Sequence, residues 1–341
     1  MAQERLYQLD SLRGMAALMV VVFHYFYHYN VKYGHSFAVP DWLHLGKSGV
    51  YLFFMISGFV IFWTISRADK PMDFLFSRFS RLYPAFWAAL IVTFAFTSMV
   101  GPADRAVSWA TFVVNITMFH EFLGYRHVDG VYWTLSIELT FYILAFGAMV
   151  FGLLRFVDYI CLAWLAVSFG HAVSGVDFGI VKSALLLKYN LLFVAGISFY
   201  RIWSRQAVWL PMLCLVLVVT LAYIRFPLDV AATITVWVSL FGLVISGRLT
   251  WLNQPILIWL GSISYSLYLI HQNIGYGIIE WSYSVGVSPV VSIGVSLVFS
   301  FCAAHVITLR VEKPALQAMR SWYSARKARA SADATAAVEY S

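Results

Sequence analysis

Leu9 to Tyr29 reads LDSLRGMAALMVVVFHYFYHY, and this stretch decides the fold. It is apolar enough to enter a bilayer, yet it carries Arg13 near one end and His24 towards the other. An ionisable group inside a membrane span is costly and marks a functional candidate. At about 3.6 residues per turn, the eleven positions from Arg13 to His24 make about three turns. A regular helix therefore puts both on one face, about 16 Å apart along the axis. That spacing suits a long ligand, charged at the Arg13 end and reactive at the His24 end.

The rest of the chain has the composition of a wall around that line. It has 341 residues, 61% hydrophobic and 11% charged, with a mean hydropathy of +0.78. Soluble domains carry about 25% charged residues, so this is an integral membrane protein in a lipid bilayer. The 13 Trp residues suit two membrane interfaces. The net charge of +7 sits mostly in loops and tail, which gives no reason to expect a nucleic-acid partner. Cys161, Cys214 and Cys302 show neither metal spacing nor a pairing pattern. No small-x-small cleavage site follows the first apolar run, which reads as an uncleaved span.

A span needs about 20 mostly apolar residues, and about ten segments qualify. They run over 9–29, 47–67, 79–100, 131–154, 157–173, 181–203, 208–224, 230–247, 256–279 and 287–309. The fold class is all-α, a polytopic membrane protein with about ten transmembrane helices. Residues 1–314 form the membrane domain, and 315–341 an Ala- and charge-rich tail expected to be disordered or loosely helical. Ala106 to Phe119 is too short to span and reads as an interfacial or re-entrant helix. With the N-terminus inside, fourteen of the 23 Lys and Arg residues fall on inner segments and seven outside; Arg13 and Arg310 lie within spans. Both termini are therefore expected in the cytoplasm. No internal repeat is visible, which weakens a repeat-built transporter.

Rise per residue puts His24 about 22 Å above the inner end of its span, and Glu138 and His271 each about 24 Å above theirs. Two imidazoles and a carboxylate in one layer compose a general-base site or a proton relay. The plainer alternative is a set of interhelical packing contacts. RFSRLYP puts Arg78 and Arg81 on one helical face at the inner side, near the level of Arg13. Clustered guanidinium groups suit phosphate, although from composition alone ordinary positive-inside charge or lipid headgroup binding is the better explanation. Ser57 and Gly58, in GKSGVYLFFMISG, allow close helix approach, and Ser57 lies where it can line a path. Trp133 sits at the outer interface. Asn115-Ile116-Thr117 matches a glycosylation sequon inside an apolar helix. There is no Walker loop, dinucleotide fingerprint, His-Glu-x-x-His cluster or Gly-x-Ser-x-Gly elbow, and no metal is expected.

Together these residues resemble the acyltransferase-3 family of membrane acyltransferases, which includes O-antigen and exopolysaccharide O-acetylases. LDSLRGMAALMVVVFH is similar to that family's opening motif, with Arg13 and His24 in place. FFMISGF, RFSRLYP and WTLSIELTFY are similar to its later motifs, the last through Trp133, Leu135 and Glu138. SYSLYLIH, ending at His271, and Glu312-Lys313-Pro314 also fit. The motifs run from Leu9 to about Pro314; Leu139 departs from the pattern, since many members carry a second Glu there. No extracellular hydrolase-like domain is expected after the tenth span.

The resemblance implies transfer of an acyl group, usually acetyl, from cytoplasmic acyl-CoA to a carbohydrate hydroxyl outside a bacterial inner membrane. Arg13, Arg78 and Arg81 would hold the acyl-CoA, His24 would act as base and Glu138 would orient it or take its proton. Ser57, Trp133 and His271 are the candidate substrate-binding residues. No permanently bound cofactor is implied; acetyl-CoA is a substrate. Two rivals remain open at this point: a flippase for a lipid-linked sugar with a His/Glu relay, and an acyltransferase with a small-molecule acceptor.

Overall fold

The structure, a computed structural model, describes residues 6–339, with side chains as far as Arg329. Arg5, counted above on the inner side, and the last two tail residues lie outside the described residues. Those described form helices and loops, with no strand among them.

Helix α1 (Tyr7–Tyr33) is followed by a 3₁₀ segment over Asp41–Ser48 and by α2 (Gly49–Ile65). Then come α3 (Pro71–Met99), a short α4 (Trp109–Asn115), α5 (Trp133–Val150) and α6 (Val157–Ser174). After them run α7 (Ile180–Ala184), α8 (Asn190–Trp203), α9 (Trp209–Arg225) and α10 (Leu228–Ile245). The chain closes with α11 (Pro255–Ser284), α12 (Pro289–Ile307) and, past a π-helical turn over Thr308–Glu312, α13 (Lys313–Glu339). Among the described residues, seven helical stretches are long and apolar enough to cross a membrane; α8 and α9 are shorter apolar helices. The chain is thus an all-α polytopic membrane protein.

Helix α11 is the axis. It has 30 residues and is buried almost throughout from Leu260 to Ile279. That burial explains how this long helix carries Ser264, Ser266, His271, Gln272 and Asn273: they face protein. Helices α1 and α12 flank it. The α1 contact needs glycine on both sides. A Cβ on Gly14 would lie 2.6 Å from the Gly261 nitrogen, and one on Gly261 would lie 2.0 Å from the Asp10 carbonyl oxygen. Small residues let helix backbones approach where apolar transfer gives little drive. Helices α2 and α8 cross in the same way, with Gly196 against the Met55 carbonyl and Gly58 against that of Phe193.

Two expectations change and one narrows. The span read over 181–203 is broken. Helix stops at Ala184, Leu186 takes φ 50°, and helix resumes at Asn190. Trp164 and Ser168 donate hydrogen bonds to the Leu185 and Leu187 carbonyls at 2.6 and 3.2 Å, so the freed backbone is satisfied by protein. Of the two forms expected for the tail, disordered or loosely helical, the structure has the helical one, which begins at Lys313 and docks on α3. Tyr323 stacks on Phe76 at 4.1 Å and donates a hydrogen bond to Asp73 at 2.8 Å. Of the segment 106–119, only the seven residues of α4 are α-helical. Asn115 is fully buried there and hydrogen-bonds Thr111, Arg126 and Val128, which closes the sequon.

Candidate active site

The structure gathers five of the expected residues around one cavity and pairs two others beside it. Arg13, Ser57, Arg78, Arg81 and Glu138 all line a cavity between α1, α2, α3, α5 and α11. It encloses about 120 Å³, room for several waters. Arg81 forms an ion pair with Glu312, which is nearly fully buried and also accepts hydrogen bonds from Ser266 at 3.0 Å and Thr308 at 3.4 Å. Arg78 differs. Its guanidinium donates to Thr64 at 3.1 Å and Ser77 at 3.2 Å, its Nε is buried without a partner, and no ion pair holds it among the described residues. A partly buried guanidinium with an unused donor is a ready anion site.

Glu138, on α5, lines the same cavity. It accepts hydrogen bonds from Ser57 at 2.9 Å and Tyr142 at 2.5 Å. Tyr142 lies one turn along the same helix, at the i+4 spacing where side chains meet.

His24 does not line this cavity, and Glu138 is not its partner. The helix packing separates them. Helix α5, which carries Glu138, packs on α2 and α3, whereas the His24 end of α1 packs on α11. Helix α1 is regular from Arg13 to Val22 and widens into a π-helical turn over Phe23–His28, where His24 sits. Such π turns recur at functional sites. The His24 partner is His271, whose Nε2 lies 3.0 Å from His24 Nδ1.

Hydrogen-bond bookkeeping assigns the protons in this pair. His271 Nδ1 lies 2.9 Å from the Tyr268 carbonyl and 3.1 Å from that of Leu267. Carbonyls only accept, so this nitrogen carries the proton and His271 Nε2 accepts. His24 Nδ1 then donates, both to His271 and to the Val20 carbonyl at 2.8 Å. The lone pair of His24 is left on Nε2, and the residue keeps some surface exposure. A neutral imidazole with its tautomer set in this way has the free lone pair that a general base needs.

Tyr268 joins the two parts. It lines the cavity, and its ring centroid lies 5.8 Å from that of His271. The pair is held from outside as well. Tyr25 donates to the His271 carbonyl at 2.8 Å, and Asp129 accepts from the Asn273 backbone N–H at 3.0 Å. Trp133 stands apart, against Tyr189 and Phe54 at ring distances of 5.6 and 6.3 Å.

Sequence reasoning missed Tyr142, Tyr268, Asp129 and Glu312 as parts of the site. The Glu138–Tyr142 spacing was visible. The Arg81–Glu312 pair spans 231 positions and carries no local signal.

The loop between α4 and α5 holds a second, simpler pair. His120 Nε2 lies 2.6 Å from His127 Nδ1, and His120 is fully buried. Burial, and then the neighbouring imidazole, lower its pKa from 6.5 to about 4. The unfolded chain therefore binds the proton more readily, and stability falls as pH drops from about 6.5 towards 4. Thermal unfolding in detergent over that range should show this slope flattened in His120→Asn; parallel curves would remove His120 as its source.

Fold and site together define a polytopic membrane protein with an arginine-lined cavity and a histidine pair beside it. A family profile described as an acyltransferase domain matches residues 6–309, and the chain belongs to this acyltransferase-3 family. The exopolysaccharide production protein ExoZ of Rhizobium meliloti is 28% identical over 194 residues, which cover 53% of this chain and 57% of that one. Nodulation protein 10 of Rhizobium leguminosarum bv. viciae is 31% identical over 147 residues, 33% of this chain and 39% of that one. An O-acetyl transferase of Shigella phage Sf6 is 26% identical over 147 residues, 40% of this chain and 43% of that one. The matches thus span between 39% and 57% of these relatives. No solved structure matches the chain.

Proposed function

We infer that the protein is a ten-span O-acyltransferase of the bacterial inner membrane with both termini in the cytoplasm. It would move an acyl group, acetyl in the first instance, from cytoplasmic acyl-CoA to a carbohydrate hydroxyl on the outer side. The observation that carries this reading is one cavity lined by Arg78, with its unused Nε–H, by Glu138 and by Tyr268, whose ring lies beside the His271–His24 pair.

Each residue then has a task. Arg78, with Arg13 and Arg81 beside it, binds the phosphates of the donor. The acyl-pantetheine arm lies along the cavity. Glu138 balances the guanidinium charge and fixes the Ser57 and Tyr142 hydroxyls along that arm. His24 Nε2 takes the proton of the acceptor hydroxyl as its oxygen attacks the thioester carbonyl. The C–S bond breaks, the ester C–O bond remains, and the departing thiolate receives the proton. While His24 is charged, its Nδ1–H points at His271 Nε2 and the Val20 carbonyl, both acceptors that stabilise an imidazolium. The carbohydrate acceptor rests on the O-acetyl transferase and exopolysaccharide relatives. Trp133 would stand on the acceptor side.

The test uses membranes containing the protein, radiolabelled acetyl-CoA and lipid-linked glycan from the same cells. Label in the glycan, absent from membranes lacking the protein, is the expected result. Glycan that crosses the membrane without acquiring label would favour transport and overturn this reading.

A further inference from the structure

The C-terminal helix α13 runs antiparallel to the start of α3 in a readable register. Lys327 meets Asp69 at 2.7 Å and Asp73 at 3.1 Å. Tyr323 meets Asp73 and stacks on Phe76. One turn earlier on the same face of α13 stands Arg320, and the same register sets it beside residues 77–81 of α3. Arg320 is accordingly within electrostatic reach of both Arg78 and Arg81.

That placement runs against simple electrostatics. Three guanidinium groups converge while Arg78 has no ion pair among the described residues and Arg81 has only Glu312. Like charges brought together repel unless an anion lies between them. The exposed Lys327 pairs contribute little. The Phe76–Tyr323 stack, with interplanar angle 11°, is the fixed part of the docking. Arg320 is solvent-exposed, so its guanidinium is available to a ligand entering from the inner side.

We propose that α13 is part of the donor site, and that Arg320 supplies a third guanidinium to a polyphosphate bound at Arg78 and Arg81. The ligand is the nucleotide end of an acyl-CoA, which rests on the donor assignment made above. Anionic lipid headgroups share the phosphate chemistry.

The test measures acetyl-CoA affinity of the full chain in nanodiscs of phosphatidylcholine, for wild type, Arg320→Gln, Tyr323→Ala and Arg78→Gln, each checked for an unchanged melting temperature. Arg320→Gln should weaken binding about 10-fold, as loss of one charge-assisted contact does. Tyr323→Ala should follow it, because undocking α13 withdraws Arg320. In turnover assays the donor KM should rise while kcat holds. Weakening by Arg78→Gln alone, with Arg320→Gln unchanged, would overturn the role of α13 and leave the donor site standing. No acetyl-CoA binding by wild type would overturn both. An Arg320→Gln effect seen only in discs containing phosphatidylglycerol would assign the residue to lipid and overturn the proposal.

Discussion

His24→Ala should lower acyl transfer by about 10²–10⁴-fold, the range that a positioned general base supplies. Donor binding should be nearly unaffected, since His24 lies outside the arginine-lined cavity. Folding should also hold, because the side chain is partly exposed and its hydrogen bonds are to Val20 and His271 only. His271→Ala should cost less, as it removes the acceptor that sets the His24 tautomer but leaves the base. Its mark is an altered pH profile of kcat. A fully active His24→Ala protein at matched level would move the base elsewhere, with His271 the next residue to test. Equal loss in both variants would make the two imidazoles one unit.

Arg81→Gln and Arg78→Gln should part company, although the sequence presents the two residues as equals. Arg81 neutralises Glu312, whose side chain is 3% exposed. Removing one partner of a buried ion pair leaves an uncompensated charge and costs about 3–5 kcal/mol. Arg81→Gln should therefore unfold at lower denaturant and yield less protein. Replacing both residues, as Arg81→Met with Glu312→Leu, should recover most of that stability, since the penalty lies in the orphaned charge. Arg78→Gln removes a guanidinium with no ion pair; it should keep the stability of wild type and lose donor affinity. Chemical denaturation and acetyl-CoA binding of the three variants separate these effects. Equal stability of the two single variants would show that Glu312 does not depend on Arg81.

Much of this was legible in the sequence. Helix periodicity, span length and loop charge bring out the membrane class and most helix positions. The motifs name Arg13, Ser57, Arg78, Arg81 and Glu138, which the fold collects in one cavity. What escaped depends on azimuth and distance rather than depth. Counting rise per residue put His24, Glu138 and His271 in one layer, but which pair meets depends on the faces of α1, α5 and α11. Nor does periodicity register the π turn over Phe23–His28, which re-aims the residues beyond His24 without changing the count. The break at Leu186 escaped for a related reason. An apolar run reads the same whether it is one helix or two pieces joined by a buried loop.

That break bears on how the protein is assembled. Helix α8 has 14 residues, about 21 Å of helix against a hydrocarbon core of about 30 Å. Released alone into lipid, it would leave the loop before it without partners for its carbonyls. It can rest at full depth only once α2 and α6 stand beside it. Gly58 and Gly196, which allow the α2 crossing, therefore act during biogenesis as well as in the finished molecule: they govern when a half-length segment is accepted by the bundle that preceded it out of the ribosome.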